Sequence, residues 1–217
     1  MSNQTERFTG LLGWFQVYLD RRILGMGLLG FGAGLPFLLV FSTLSAWLSD
    51  VGVSKASIGL FGWVGITYSI KMFWSPVVDR FTLPLLGHLG KRRSWILLGQ
   101  LGIVVGLILM SAINPEQHLW YIAAAAVLVA FSSATQDIAI DAYRIEAAES
   151  EKQGAMSAVY VFGYRLALLV AGAGALLIAD NMSWPVTYIA MALCMLPAVL
   201  TVLVISEPET TTTVLKT

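Results

Sequence analysis

Asp137 and Asp141 stand four residues apart in "QDIAIDAYRIEAAES", just after a long apolar run, with Arg144 one turn further on. At i and i+4 the two carboxylates project from one helix face. An acid at the centre of a membrane helix costs about 2.5–3.5 kcal/mol on insertion scales, so it faces a bundle interior or a watery cavity. Burial disfavours the ionised carboxylate and a neighbouring cation favours it. A group held between those effects can load and release a proton, which makes Asp137 and Asp141 candidate proton-coupling residues. Lys71 and Arg165 also fall inside apolar stretches. They suit an anionic substrate, since a guanidinium grips a carboxylate through two hydrogen bonds. Tyr68, Tyr164, Trp63 and Trp74 offer faces on which a sugar or peptide could stack, although aromatics in a membrane bundle more often simply pack. The competing reading of all four charges is a set of buried ion pairs that fixes helix packing, and it is the stronger one for Asp141 with Arg144.

The elements that must position these residues are membrane helices. The 217 residues are 57% hydrophobic and 12% charged, about half the charged share of a soluble domain. Six apolar stretches are long enough to cross about 30 Å of hydrocarbon, at roughly 23–48, 57–78, 94–112, 119–144, 154–179 and 184–205. The fold class is therefore an all-α membrane protein. Residues 1–22 form a cytoplasmic or interfacial lead-in, 23–205 the bundle, and 206–217 a polar tail or the start of a linker. At 1.5 Å per residue, Asp137 lies roughly 14 Å from the end of its span, Arg165 about 16 Å and Lys71 about 10 Å. The acids and bases thus reach similar depths on neighbouring helices.

Orientation follows from Lys and Arg placement. With the N-terminus in the cytoplasm, that side receives Arg7, Arg21, Arg22, Arg80, Lys91, Arg92, Arg93, Arg144, Lys152 and Lys216, and the other only Lys55. Both termini are expected to be cytoplasmic. Asp79 and Arg80 close the second span, and Asp79 is not explained by anchoring; an acid there can pair with Arg and hold one conformation shut. "EAAES" reads as the loop where the fourth span leaves the bilayer, and "FTGLLGWFQVYLDRR" as a surface helix or an ordered lead-in. Gly27, Gly30, Gly32 and Gly34 before Pro36 mark either close helix packing or a hinge. Net charge is zero, which points to no nucleic-acid partner. Cys194 is alone, and His88 and His118 are far apart, so neither metal nor cofactor is implied. No cleavable signal peptide is visible. Without HExxH, GxSxG or a Cys/His nucleophile set, an enzyme is not expected.

An acid–Arg pair ending the second span, followed by Gly-Lys-Arg-Arg opening the third, resembles the loop signature of the major facilitators. The spacer "TLPLLGHLG" is longer than usual. With "KMFWSPVVDRFTLP", "KRRSWILLGQ" and "SSATQDIAIDAYRIEAAESEKQGAMSAVYVFGYRLALLVAGAGALLIAD", it resembles the muropeptide permeases of the AmpG type across nearly all six spans. The resemblance implies the N-terminal half of a major facilitator fold, a 3+3 inverted repeat. It also implies proton-driven import of N-acetylglucosaminyl-anhydro-N-acetylmuramyl peptides across the bacterial inner membrane, for cell-wall recycling. By position in the motif, Asp137 and Asp141 match the family's paired acids in the fourth span. The partners it implies are a sugar-peptide solute, protons, membrane lipid, and a second six-helix half or self-association. An acyl-CoA or other anionic solute, or a non-transporting half, are the alternatives.

Overall fold

The computed structural model describes residues 20–147 and 152–208. Among the described residues, five helical stretches are long and apolar enough to cross a membrane: Arg21–Asp50, Lys91–Ala112, Leu119–Ala147, Gln153–Asn181 and Trp184–Val204. The first consists of α1 (Arg21–Val40) and α2 (Ser42–Asp50), separated by a break at Phe41. Asp20 caps α1 by accepting from the Arg22 N–H at 2.9 Å. The stretch expected to be one span over 57–78 is not a continuous helix. It runs as α3 (Lys55–Leu60), a 3-10 turn, α4 (Val64–Ser69), a second 3-10 turn at Lys71–Phe73 and α5 (Ser75–Arg80). Gly59, Gly62 and Gly65 weaken helical propensity along it, and Pro76 removes a backbone donor near its end. Hydropathy does not register either effect.

The remaining elements are α6 (Lys91–Ala112), α7 (Leu119–Ala147), α8 (Gln153–Leu169), α9 (Ala175–Asn181), α10 (Trp184–Cys194) and α11 (Leu196–Val204). A widened π turn over Val170–Gly174 joins α8 to α9. α1 packs chiefly on α8, and α6 on α7; α4 and α5 lean on α7, and α10 on α6. Glycine explains the closest contacts. A Cβ on Gly30 would strike the Tyr160 carbonyl, and one on Gly163 would strike the Gly27 carbonyl, so α1 and α8 meet backbone to backbone. Gly99, Gly102 and Gly106 likewise leave room on α6 for Gln136, Ser132 and Val129 of α7. The glycines of α1 therefore serve packing. The surface-helix expectation over the lead-in falls largely outside the described residues.

Candidate functional site

Two polar clusters break the apolar bundle. The first surrounds Asp137, in the middle of α7. Its Oδ1 is enclosed and accepts no hydrogen bond among the described residues. Lys71, from the turn after α4, is the cation in electrostatic range, and Asp141 the neighbouring like charge. Tyr68, Tyr160 and Tyr164 bring their hydroxyls into the field of Asp137. Tyr68 lies beside Ser133, one turn before Asp137, yet neither hydroxyl has a well-formed hydrogen bond. Phe37 and Phe41 wall the same side, with ring centres 5.1 Å apart and each 6.0 Å from Tyr68. Trp74 packs on Phe131 at 4.8 Å, its indole N–H enclosed and without a partner. Buried polar groups usually find partners. Among the described residues, Asp137 Oδ1, Tyr68 Oη and Ser133 Oγ are exceptions to that rule.

Arg165 stands apart from this group. It is exposed and makes no ion pair within 4.0 Å with any described carboxylate. The reason is rotation about the helix axis. Gly163 is turned onto α1, and two residues further on a helix has rotated about 200°. Arg165 therefore projects from the uncovered face of α8, beside exposed Phe162, Leu166 and Leu169. Asp141 is paired differently again: its Oδ1 accepts from Arg144 Nη2 at 3.2 Å. Arg144 also donates to Ser157 Oγ at 2.9 Å and lies 5.8 Å from the Tyr160 ring centre, bracing α7 against α8.

The second cluster closes the end of the bundle that holds Asp20 and Pro208. Arg92, only 8% exposed, donates to Asp79 at 2.8 Å and to both oxygens of Glu146, the shortest at 2.6 Å. Glu207 reaches across from beyond α11 and accepts from the Arg92 and Arg93 N–H groups at 2.7 and 3.1 Å. A carboxylate there answers both the free donors and the positive dipole end of α6. Gly90, with φ of 103°, makes room, because the Glu207 carboxylate occupies the space a Cβ would fill. Arg93 in turn donates to the last carbonyls of α11, Val202 and Leu203, at 2.8 and 2.9 Å.

Asp79 was expected to act with Arg80. Its partner is Arg92, and Arg80 is exposed without an ion pair among the described residues. "EAAES" was expected to be loop, but Glu146 and Ala147 belong to α7, and Glu146 holds Arg92. Three residues of this cluster, Arg92, Glu146 and Glu207, carried no site expectation. Their partners are 13 to 115 residues apart in sequence, so a local motif could reveal at most the Asp79–Arg92 contact.

The family model for the Major Facilitator Superfamily matches residues 26–216. The chain is 38% identical over 205 residues to the anhydromuropeptide permease of Escherichia coli K12, covering 94% of this chain and 41% of that protein. It is also 38% identical over 196 residues to a provisionally named transporter, AmpG 4, of Rickettsia felis, covering 89% and 47%. An uncharacterised protein of Haemophilus influenzae is 35% identical over 190 residues, covering 87% and 44%. The chain thus spans a little under half the length of these relatives.

Proposed function

The chain belongs to the Major Facilitator Superfamily, and from that premise we propose that it forms the N-terminal half of a proton-coupled importer of anhydromuropeptides. It is a multi-pass membrane protein of a transporter family rather than an enzyme. In this reading the broken stretch 55–80 also crosses the bilayer, as the second of six spans. The end carrying Arg21, Arg22, Arg80, Arg92, Arg93 and Lys152 faces the cytoplasm of a bacterial inner membrane. The observation that carries the transport assignment is Asp137: an enclosed, unpartnered carboxylate oxygen in mid-span, facing Lys71 and a wall of tyrosines. Asp137 exchanges the proton. Lys71, Tyr68 and Tyr164 meet the carboxylates and sugar faces of the solute. Asp79 with Arg92 and Glu146 holds the cytoplasmic end, and Arg80 remains a surface cation beside it.

The exposed face of α8 supports a second half. A cation such as Arg165 among exposed Phe162 and Leu169 is costly against lipid and is expected to face protein or a water-filled cavity. In this superfamily's architecture such a cavity lies between two halves related by a pseudo-two-fold axis. The test is uptake of labelled anhydromuropeptide by cells expressing the chain alone, or with the C-terminal half of a relative. The reading expects uptake only with both halves, abolished by a protonophore. Uptake that ignores the protonophore would remove proton coupling. No uptake from the reconstituted pair would remove the solute assignment.

A further inference from the structure

One residue before Asp137, at Gln136, α1, α6 and α7 meet at one buried point. Pro36 has no N–H, so the Gly32 carbonyl one turn earlier loses its helical donor. Gln136 replaces it, its Nε2 donating to Gly32 O at 2.9 Å. A carbonyl can only accept, so the amide nitrogen must face Gly32 and Gln136 Oε1 must face away. That oxygen is buried and without a partner. Gln100 comes from α6, which lies close to α7 here because Gly99 abuts Gln136. Gln100 is 0% exposed, and both its Nε2 and Oε1 lack partners. Its Nε2 lies 3.8 Å from the point where a Cβ would stand on Gly32, so the two carboxamides converge on the same backbone turn.

We propose that the Gln100 and Gln136 carboxamides form an internal water site which, with the Gln136–Gly32 bond, clasps the Pro36 turn of α1 to α6 and α7. Gln100 Nε2, Gln100 Oε1 and Gln136 Oε1 supply a donor and two acceptors, within the two to four partners that a buried water takes. The water accepts from Gln100 Nε2 and donates to Gln136 Oε1, completing a polar bridge across three helices. Gly32 has to be small, because Ala198 Cβ of α11 lies 2.6 Å from the point where its own Cβ would stand. The inference stands whether or not the chain transports a sugar-peptide.

Met195 gives a direct probe. It is 0% exposed, and its Cε lies 3.7 Å from the same point on Gly32. Met110 is equally buried, in the apolar core nearer the other end of α6. Millisecond hydroxyl-radical footprinting of the full chain in native membranes oxidises side chains next to ordered water. The proposal expects Met195 to be labelled at least several-fold faster than Met110; equal rates overturn the water site. A double-mutant cycle tests the clasp. Gln136→Leu is expected to lower the melting temperature by about 2–6 °C in the presence of Pro36, and by less than half as much after Pro36→Ala restores the helical donor. Equal losses in both backgrounds overturn it. Gln100→Leu decides the question if the Gln136 variants do not accumulate. A lower melting temperature supports a satisfied amide, and a higher one shows that the amide was idle.

Discussion

The two ends of the bundle are held together by different chemistry. At the end containing Asp20 and Pro208, four chain segments meet through charge: Asp79, Arg92, Glu146 and Glu207. At the opposite end the contacts are mainly aromatic, without an ion pair among the described residues; the Asp50 carboxylate there accepts from the Trp184 indole N–H at 3.0 Å. Trp47 stacks on Trp184 at 6.1 Å and tilts against Tyr188 at 4.9 Å. Tyr188 donates to the Leu39 carbonyl at 2.9 Å beside the Phe41 break, and Thr43 donates to Ala171 at 2.7 Å on the π turn. There polar side chains satisfy carbonyls released where helices are interrupted. Partly exposed ions regain water when they separate, so their net contribution is modest and reversible. A buried ring stack loses dispersion contacts that nothing replaces. The charged end is therefore expected to be the one that rearranges, with the aromatic end as its fixed point.

The largest effect is expected from breaking the fixed point. Trp47 is 2% exposed, and Trp47→Ala should cost about 3–5 kcal/mol, read as a fall in the thermal unfolding midpoint that salt does not alter. Arg92→Met comes next. It leaves Asp79 and Glu146 facing each other without their cation, at about 2–3 kcal/mol after allowing for their partial exposure. Its deficit should shrink in 1 M salt, where the wild-type charge cluster is itself screened. If Trp47→Ala and Arg92→Met respond to salt alike, the contrast between the ends fails. Tyr188→Phe removes one buried hydroxyl donor and should cost about 1 kcal/mol.

The smallest effect belongs to Asp20 at the edge of the charged end. The Arg22 N–H that it caps, aided by Lys152 at 3.2 Å, holds its carboxyl below the ordinary carboxylate value. A depressed folded-state value means that the stabilisation is present above the unfolded value near 3.8. It is lost as pH falls through the lower folded value. Melting curves of the wild type and Asp20→Asn should therefore differ slightly at neutral pH and converge in that acid window. A gap that persists unchanged below it would assign the effect to something other than the Asp20 charge.

Much of the fold was legible because hydrophobic length is a local property. The stretches expected at 94–112, 119–144, 154–179 and 184–205 coincide within a few residues with helices or helix pairs. The stretch 57–78 has the same apolar character, but its glycines and proline divide it into short pieces. Depth along a helix follows from residue count alone, and on that basis Asp137 and Arg165 were expected to be level. Rotation about the axis was not, because it is set by which residue fits a neighbour, here Gly163 on Gly27. The charges at Arg92, Glu146 and Glu207 looked like anchors, loop and tail because their partners lie far away in sequence. Pro36 announced a freed carbonyl at Gly32, but not that Gln136, 104 residues on, would answer it.

The central claim is that Asp137 works on a solute or proton, unlike the braced Asp141 one turn away. The most direct measurement is protonophore-sensitive uptake by Asp137→Asn, co-expressed with a C-terminal half, compared with Asp141→Asn at equal membrane abundance. The account predicts that uptake falls by roughly a hundredfold or more for Asp137→Asn, the loss expected of a proton-transfer group, with the protein still inserted and folded. Uptake at the wild-type rate would contradict it and return Asp137 to a purely structural role.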